Sequence, residues 1–363
     1  MSSKKIFISL YENFIPSFAG AEMERLYRHI YSTLAYLKIY GDIGENTHTY
    51  VAEVDGTITA VFLFRLKQNQ AQVINEQIYV DAREIDLFVR YIFATYSAVN
   101  VISFRAVQTN MQHNSHQYQR FNTSHDIVLT LPDTPEKYLA SLGNSTRKNI
   151  RRHMSRLTRS FPLLRFDIYQ MEEISEQHVR DIIELNRARM AVKNKASYID
   201  EEETERIIKL VKLRGVLAIL RIDGRTCAGA ICFQVGKNYF SVVSGHDAQY
   251  DNYRLGTLCF YRAICGCIER GGKEFHFMWG QYEYKYQLSG IRHHLDDLMI
   301  YRSLIHLVLN SRLAVRTAYN GYTHLAKHWL LDKAREKESV NATSRLAYHF
   351  LNSLRSLKRY MPG

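Results

Sequence analysis

The sequence predicts an α/β protein made of two tandem mixed-sheet units followed by a helical tail. Three observations carry that prediction. An order of helix, hairpin, strand, helix and strand is followed, about 160 residues later, by a similar order, with no residue-level repeat between the copies. A strongly basic stretch bounded by prolines separates the two. Beyond Leu298 the pattern reads as helical throughout. The 363 residues suffice for two ordinary cores. The expected division is 1–131 for the first unit, 132–163 for a basic connector, 164–300 for the second unit and 301–363 for the tail.

In the first unit, Met23, Leu26, Tyr27, Ile30, Leu34 and Leu37 recur at helical spacing, which predicts a helix over 20–38. Strands over 50–54 and 58–66 flank Asp55-Gly56, the mark of a two-residue hairpin turn. Residues 72–75 add a short strand, Ile85, Phe88, Val89 and Ile92 a helix over 82–96, and 99–104 an apolar strand. Pro132 and Pro135 open the connector and Pro162 closes it, since proline is tolerated at helix starts but not in their middles. Inside it lie a short helix over 136–141 and a basic helix over 144–160, with Asn144, Ser145 and Thr146 as candidate caps. The second unit reads as a strand over 164–169, a helix over 175–190 capped by Ser175, and a helix over 201–213. A hairpin over 216–222 and 227–235 turns at Asp223-Gly224, and a strand over 239–244 follows. The loop after Gly245 feeds a helix over 256–269, stopped by Gly271-Gly272, and then a strand over 274–279.

Composition narrows the class. Hydrophobic residues make up 46% and charged residues 23%, as in soluble globular proteins, which excludes a disordered or collagen-like chain. The five cysteines are an odd number without a Cys-x-x-Cys pair, arguing against a disulfide framework or structural zinc. His293-His294 beside Asp296-Asp297 is not expected to hold a metal, because adjacent side chains on a strand point apart. No apolar run reaches the roughly 18–20 residues of a membrane helix. Ile6 to Leu10 follows Lys4-Lys5, but Glu12 ends the run too soon for a signal peptide. A cytoplasmic protein is expected.

The net charge of +12 is unevenly spread. Residues 137–166 hold eight Lys and Arg with no acid, and 298–363 hold eleven against three acids. Such blocks can attract nucleic acid, anionic lipid or phosphorylated ligands, and charge alone does not choose among them.

Chemistry is expected between Tyr239 and Leu288. A strand there leads through a loop to a helix opening at Gly256-Thr257. A helix N-terminus offers free N–H groups to a phosphate. Gly256 would let the backbone approach, Thr257 adds a hydroxyl and Arg254 a charge.

Five pieces in order carry a resemblance. They are Leu142-Gly143-Asn144-Ser145-Thr146-Arg147-Lys148-Asn149-Ile150-Arg151-Arg152, then Gly245-His246-Asp247 through Gly256, and the helix ending at Gly271. Phe275-His276-Phe277 with Gly280, and Tyr284-Lys285, complete the set. Together they resemble the GNAT superfamily of acyl-CoA transferases, and more closely its FemAB-like and CelD-type branch, linked to cell-envelope and polysaccharide synthesis. The resemblance covers about residues 140–290. The chain departs from it at His276, where the branch usually has Asp, and at Arg254-Leu255, where it has Ser-Pro. The fuller GNAT phosphate loop carries two glycines, and here only Gly256 remains.

The resemblance implies tandem GNAT-like domains and a V-shaped opening between the strands over 239–244 and 274–279. Acetyl-CoA or another acyl-CoA would lie in it, with Val243, Arg254, Leu255, Gly256, Thr257 and Lys285 as binding residues. It implies transfer of an acyl group, acetyl as the expected one, to an amine such as an amino sugar or sugar-nucleotide, without a metal. Acyl transfer needs a base, an oxyanion donor and an acid for the leaving thiolate. A backbone N–H near Val243 is the candidate oxyanion donor. Asp247 and His246 are candidate bases with Glu283 as a third, His276 is a further catalytic candidate, and Tyr284 is the candidate acid. Each has a plainer alternative: Asp247 can cap a turn, His276 can be a strand-face histidine, and Tyr284 and Lys285 can be surface residues.

Two rival readings remain open. One is aminoacyl-tRNA-dependent transfer to a peptidoglycan precursor, with the basic blocks on RNA phosphates. The other is a non-catalytic scaffold on the same fold. The basic helix, with Ile150, Met154 and Leu157 as its apolar stripe, is expected to dock as a connector. The tail stripe of Leu304, Val308, Val315, Tyr319, Tyr322, Ala326 and Trp329 is expected to pack on the body, although a basic amphipathic tail also permits peripheral contact with the inner face of a membrane.

Overall fold

The computed structural model describes residues 5–335, and one mixed sheet of twelve strands runs through them. The first half contributes β1 (Ile6–Tyr11), α1 (Ala19–Tyr27), α2 (Leu34–Ile39), β2 (His48–Val54), β3 (Thr57–Lys67) and β4 (Gln70–Val73). It continues with α3 (Ala82–Thr95), β5 (Val101–Val107) and β6 (Gln117–Thr130). The connector forms α4 (Pro135–Ser141) and α5 (Asn144–Ser160). The second half begins with β7 (Arg165–Gln170), α6 (Glu176–Val192), α7 (Glu201–Arg214), β8 (Gly215–Ile222), β9 (Arg225–Val235) and β10 (Asn238–His246). Next come α8 (Leu255–Glu269), β11 (Glu274–His276), α9 (Glu283–Gln287) and β12 (Ile291–Tyr301), and then α10 (Leu304–Leu309) and α11 (Ser311–Arg335).

Local chemistry explains most of these boundaries. Asp55 and Gly56 have φ of 50° and 81°, and Asp223 and Gly224 have 51° and 80°. Two successive left-handed residues suit the sense of strand twist in a tight hairpin. Ser175 accepts the N–H of His178 at 3.2 Å and so opens α6. Ile150 and Leu157 of α5 are buried in the same core as Leu258 and Ile264 of α8, so the basic helix docks by its apolar stripe.

Several elements differ from the sequence-based expectation, among them α9, which no pattern marked, and β11, which ends at His276 rather than Trp279. The helix over 20–38 breaks after α1, where Arg28 is left-handed (φ 50°), and resumes at α2 under a Thr33 cap. The run at Ile6–Tyr11 is a strand paired with β2. β6 is fourteen residues long, and its polar first half concealed it, because it lacks a regular apolar alternation. The chain is not helical from Leu298: β12 runs to Tyr301 before the helices start.

The sheet order is β1-β2-β3-β4-β5-β12-β6-β11-β10-β9-β8-β7. β12 therefore lies between β5 and β6, antiparallel to both, while β6 pairs with β11. Each half thus lends a strand across the middle, and cuts at residues 131 and 300 separate in sequence what is interleaved in space. Each half also holds one parallel pair, β4 with β5 and β10 with β11.

The tail corrects another expectation. α11 meets the body through the buried Ala314 and Gly321. Leu304, Val308, Val315, Tyr319, Ala326 and Trp329 are exposed and Tyr322, though largely exposed, sets its ring edge-on to Phe121 of β6, so most of the stripe expected to pack on the body faces outward. Residues 336–363 of the tail lie outside the described residues.

Candidate active site

β10 and β11 pair at only three positions, ending at Phe240 and His276. Beyond that point β10 carries a bulge between Ser241 and Val243, while Met278 (φ 58°) and Gly280 (φ 90°) turn the other strand's continuation away. The two strands part. The edge of β10 past Phe240 is left without a strand partner on that side, so its backbone groups face an opening.

That opening is a cavity of about 400 Å³ whose walls include Val243, Ser244, Arg189, Tyr284 and several aromatic rings. A narrower space of about 90 Å³ continues from it past Arg189, Ser244 and Tyr284 to His246, Gly256 and Thr257. Thr257 also borders a third space of about 200 Å³, which Arg254, Arg152 and His153 complete. These three spaces form a groove from the strand splay, across the start of α8, to the basic helix α5. A further cavity of about 620 Å³ opens where β4 and β5 separate, and it meets the chamber at Tyr31, Tyr36 and Trp279.

Of the sequence-derived candidates, the fold brings Val243, His246, Arg254, Gly256, Thr257, Tyr284 and Lys285 to this groove. His246 Nε2 lies 3.0 Å from Asp251 Oδ1, which orients the ring. Burial, with the charge of Arg189 beside it, lowers the His246 pKa, so the imidazole is neutral near pH 7. A Cβ on Gly256 would lie 2.7 Å from His246 Nδ1, so the missing side chain makes room for that ring. Burial holds the Tyr284 phenol well above its ordinary pKa and keeps its proton in place. Arg254 is the left-handed residue ahead of α8 and makes no side-chain cap, leaving the helix's first N–H groups uncapped by it.

The other candidates take different places. Leu255 is fully buried in the core, so its side chain cannot line a ligand site. Asp247 accepts the Gln249 N–H at 3.1 Å and pairs with Arg225, the role of a turn cap, outside the groove. Glu283 is exposed and accepts from Gln287 Nε2 at 2.8 Å. Lys285 is buried, and its Nζ donates to the carbonyls of Phe277, Met278 and Trp279 at 2.7, 3.0 and 2.6 Å. Its three protons are directed at backbone carbonyls while the side chain borders the chamber. It holds together the kinked segment that ends β11.

His276 lies away from the groove. Its Nδ1 is 2.5 Å from Asp126 Oδ2 and its Nε2 is 3.4 Å from Glu274 Oε2. Burial by itself would lower its pKa, but Asp126 and Glu274 raise it to about 9, giving an imidazolium between two carboxylates. His29 Nε2 stands 4.0 Å from Asp126, and its Nδ1 accepts the Tyr31 N–H. With Nδ1 accepting, the proton of the neutral ring sits on Nε2, on the side of Asp126. Around the His293-His294 motif, His294 contacts Asn122, Asp296 pairs with Arg120 and Asp297 accepts the Ala106 N–H.

Sequence reasoning missed Arg189, Asn186 and Asp251. Arg189 borders both inner spaces, its Nε is buried without a partner, and among the described residues no carboxylate pairs with it. Asn186, one turn earlier on α6, donates to the Ser244 carbonyl at 2.7 Å and fixes the helix against the splayed strand. Nothing in the local pattern of α6 distinguishes Arg189 from Arg187, which instead bonds Ile199 and Thr204.

Comparison with known proteins agrees with this geometry. Residues 144–286 match the family described as an acetyltransferase (GNAT) domain. FemX superposes with a TM-score of 0.61 at 9% identity, over 83% of this chain and 99% of FemX. The C-terminal domain of a candidate lysylphosphatidylglycerol synthetase from Agrobacterium fabrum superposes with a TM-score of 0.50 at 12% identity, over 83% of this chain and 94% of that one. No curated protein sequence matches the chain. The architecture is therefore a GNAT-like mixed α/β fold in the paired, FemX-like arrangement, followed by C-terminal helices.

Proposed function

We propose that the protein is an N-acyltransferase that moves an acyl group, acetyl in the simplest case, from acyl-CoA to an amine. An amino sugar or sugar-nucleotide of polysaccharide or cell-envelope synthesis, as in the CelD-type branch, is the acceptor class. The observation that carries this reading is the groove from the β10–β11 splay past the start of α8 to the basic α5. Its length and polarity suit a thin pantetheine arm with phosphates at Arg254 and Thr257. In the reaction the acceptor nitrogen bonds to the thioester carbonyl and the C–S bond breaks. His246, oriented by Asp251, takes the amine proton. A backbone N–H of β10 at Val243 stabilises the oxyanion, and Tyr284 protonates the thiolate. Arg189 holds an anionic group of donor or acceptor in the chamber. The 620 Å³ cavity beyond Tyr31 and Trp279 receives the body of the acceptor. A cytoplasmic address goes with this reading.

One observation favours a second reading. α5 carries Arg147, Lys148, Arg151, Arg152, Arg156 and Arg159 and no acid, and among the described residues none of the six forms a salt bridge. Such a row suits RNA phosphates, as aminoacyl-tRNA-dependent transfer would require. Calorimetric titration with acetyl-CoA, beside filter binding of tRNA across a salt series, separates the two. The first reading expects saturable acetyl-CoA binding that Arg254→Ala weakens, while steeply salt-dependent tRNA binding without acetyl-CoA binding would replace it with the second. Binding of neither would leave a non-catalytic scaffold.

A further inference from the structure

α10 leaves Leu304, Ile305, Val308 and Leu309 exposed by 62%, 70%, 62% and 73%. Their spacing gathers them on one face of the helix. α11 continues the surface with Val315, Tyr319 and Tyr322, exposed by 67%, 68% and 66%, and with Trp329 about two turns further on. An apolar surface of this extent marks an interaction site.

Charge identifies what covers it. From Leu298 to Leu331 the sequence holds Arg302, Arg312, Arg316 and Lys327 and no acid. Arg302 is used internally, on the carbonyls of Phe93, Tyr96 and Val99. Arg312 is exposed beside the apolar stripe, and Arg316, also exposed, borders the 620 Å³ cavity at the edge of that face. Aliphatic side chains, Tyr, Trp and Arg together are the composition of a helix lying in a lipid interface. A second copy fits poorly, because a two-fold contact through this face would oppose cations of one sign. No helix among the described residues is long and apolar enough to cross a membrane, so contact would lie along the surface.

We infer that this face of α10 and α11 docks the protein on an anionic lipid surface. The aliphatic and aromatic side chains enter the headgroup layer and the arginines meet lipid phosphates. The inner side of the same helix, at Leu313, Thr317 and Asn320, walls the 620 Å³ cavity that meets the catalytic chamber. Docking therefore sets that cavity beside the headgroups.

The test is co-sedimentation of the full chain with vesicles of phosphatidylcholine and phosphatidylglycerol in equal parts, against phosphatidylcholine alone. Binding to the anionic vesicles, released by salt, is expected. The exposed pair Ile305→Asp with Val308→Asp should weaken it about tenfold or more without lowering the melting temperature. Arg312→Glu should weaken binding at low salt and flatten the salt dependence. In a Trp279→Phe background Trp329 is the remaining tryptophan, and its emission should shift to the blue on vesicle addition. If the aspartate pair fails to fold, the Arg312→Glu salt series and the Trp329 shift decide. Absence of vesicle binding by the full chain, or binding indifferent to these changes, overturns the inference. So does a dimer in analytical ultracentrifugation that the aspartate pair dissolves, since a second copy would then be the occupant.

Discussion

His276 Nδ1 meets Asp126 Oδ2 at 2.5 Å, joining two residues 150 positions apart across the middle of the sheet. The contact ties β11, which ends at the strand splay, to β6, the strand that the first half lends to the second. Glu274 on one side and His29 on the other complete the cluster.

This clasp should make stability depend on pH with a definite sign. The folded His276 pKa is about 9 against an ordinary 6.5, so its contribution is fully present below pH 6.5 and is lost as pH rises through 9. Burial opposes ionisation of Asp126, yet the charge of His276 lowers its pKa, so its contribution is present above the ordinary 3.8 and fades under more acidic conditions. Urea unfolding across pH should show wild type losing on the order of 3 kcal/mol relative to His276→Gln between pH 6.5 and 9. Parallel curves for the two proteins would mean that His276 is not ionised in the fold.

The His246–Asp251 contact should govern turnover. His246→Ala is expected to lower kcat about 100-fold or more, the usual worth of a positioned base, with little change in donor affinity. The acidic limb of kcat/KM should lie below the ordinary histidine value of 6.5, because burial and Arg189 depress the pKa and activity falls once the ring is protonated. Asp251→Asn removes an interaction that raises that pKa, so the limb should move to still lower pH. An unmoved limb would separate Asp251 from the base.

Gly256→Ala tests the packing at the start of α8. The new Cβ would sit 2.7 Å from His246 Nδ1, and the ring would have to turn away from Asp251. Turnover should drop about tenfold or more while the melting temperature changes modestly, as expected when a catalytic group is misplaced by a fraction of an ångström. Wild-type turnover in this variant would show that His246 need not keep its position.

Lys285→Met leaves three carbonyls at the end of β11 without their donor. Removing a buried charged donor should cost about 3 kcal/mol, read as a lower denaturation midpoint at unchanged m-value. Activity should fall with it, because Met278 and Trp279 both line the chamber. An unaltered midpoint would show that the kinked segment holds without the ammonium.

Much of the secondary structure was legible because it is local. The Asp55-Gly56 and Asp223-Gly224 turns, the Ser175 cap and the docked stripe of α5 each depend on residues a few positions apart. The helix over 20–38 misled because its apolar spacing runs through Arg28, where the backbone becomes left-handed. Part of the groove was legible for the same reason: His246, Arg254, Gly256, Thr257 and Tyr284, which border it, belong to motifs with recognisable order. Asp247 misled because a carboxylate after a strand suits both a base and a turn cap, and only the position of the Gln249 N–H distinguishes them.

By itself the sequence determined the two hairpins, the basic helix and the strand–loop–helix beside the groove. Tertiary structure decided what depends on distant pairing. Insertion of β12 between β5 and β6 brings residues 101–107 beside 296–301, and no local period encodes that register. Pairing of β11 with β6 draws His276 to Asp126, and packing of α6 on the splayed strand brings Arg189 into the chamber. It also decided the tail: Ala314 and Gly321 are small enough to lie against the sheet, so the larger Val315 and Tyr319 face outward. Hydrophobic spacing defines a helix face, but which face a body covers depends on how closely the backbone can approach it.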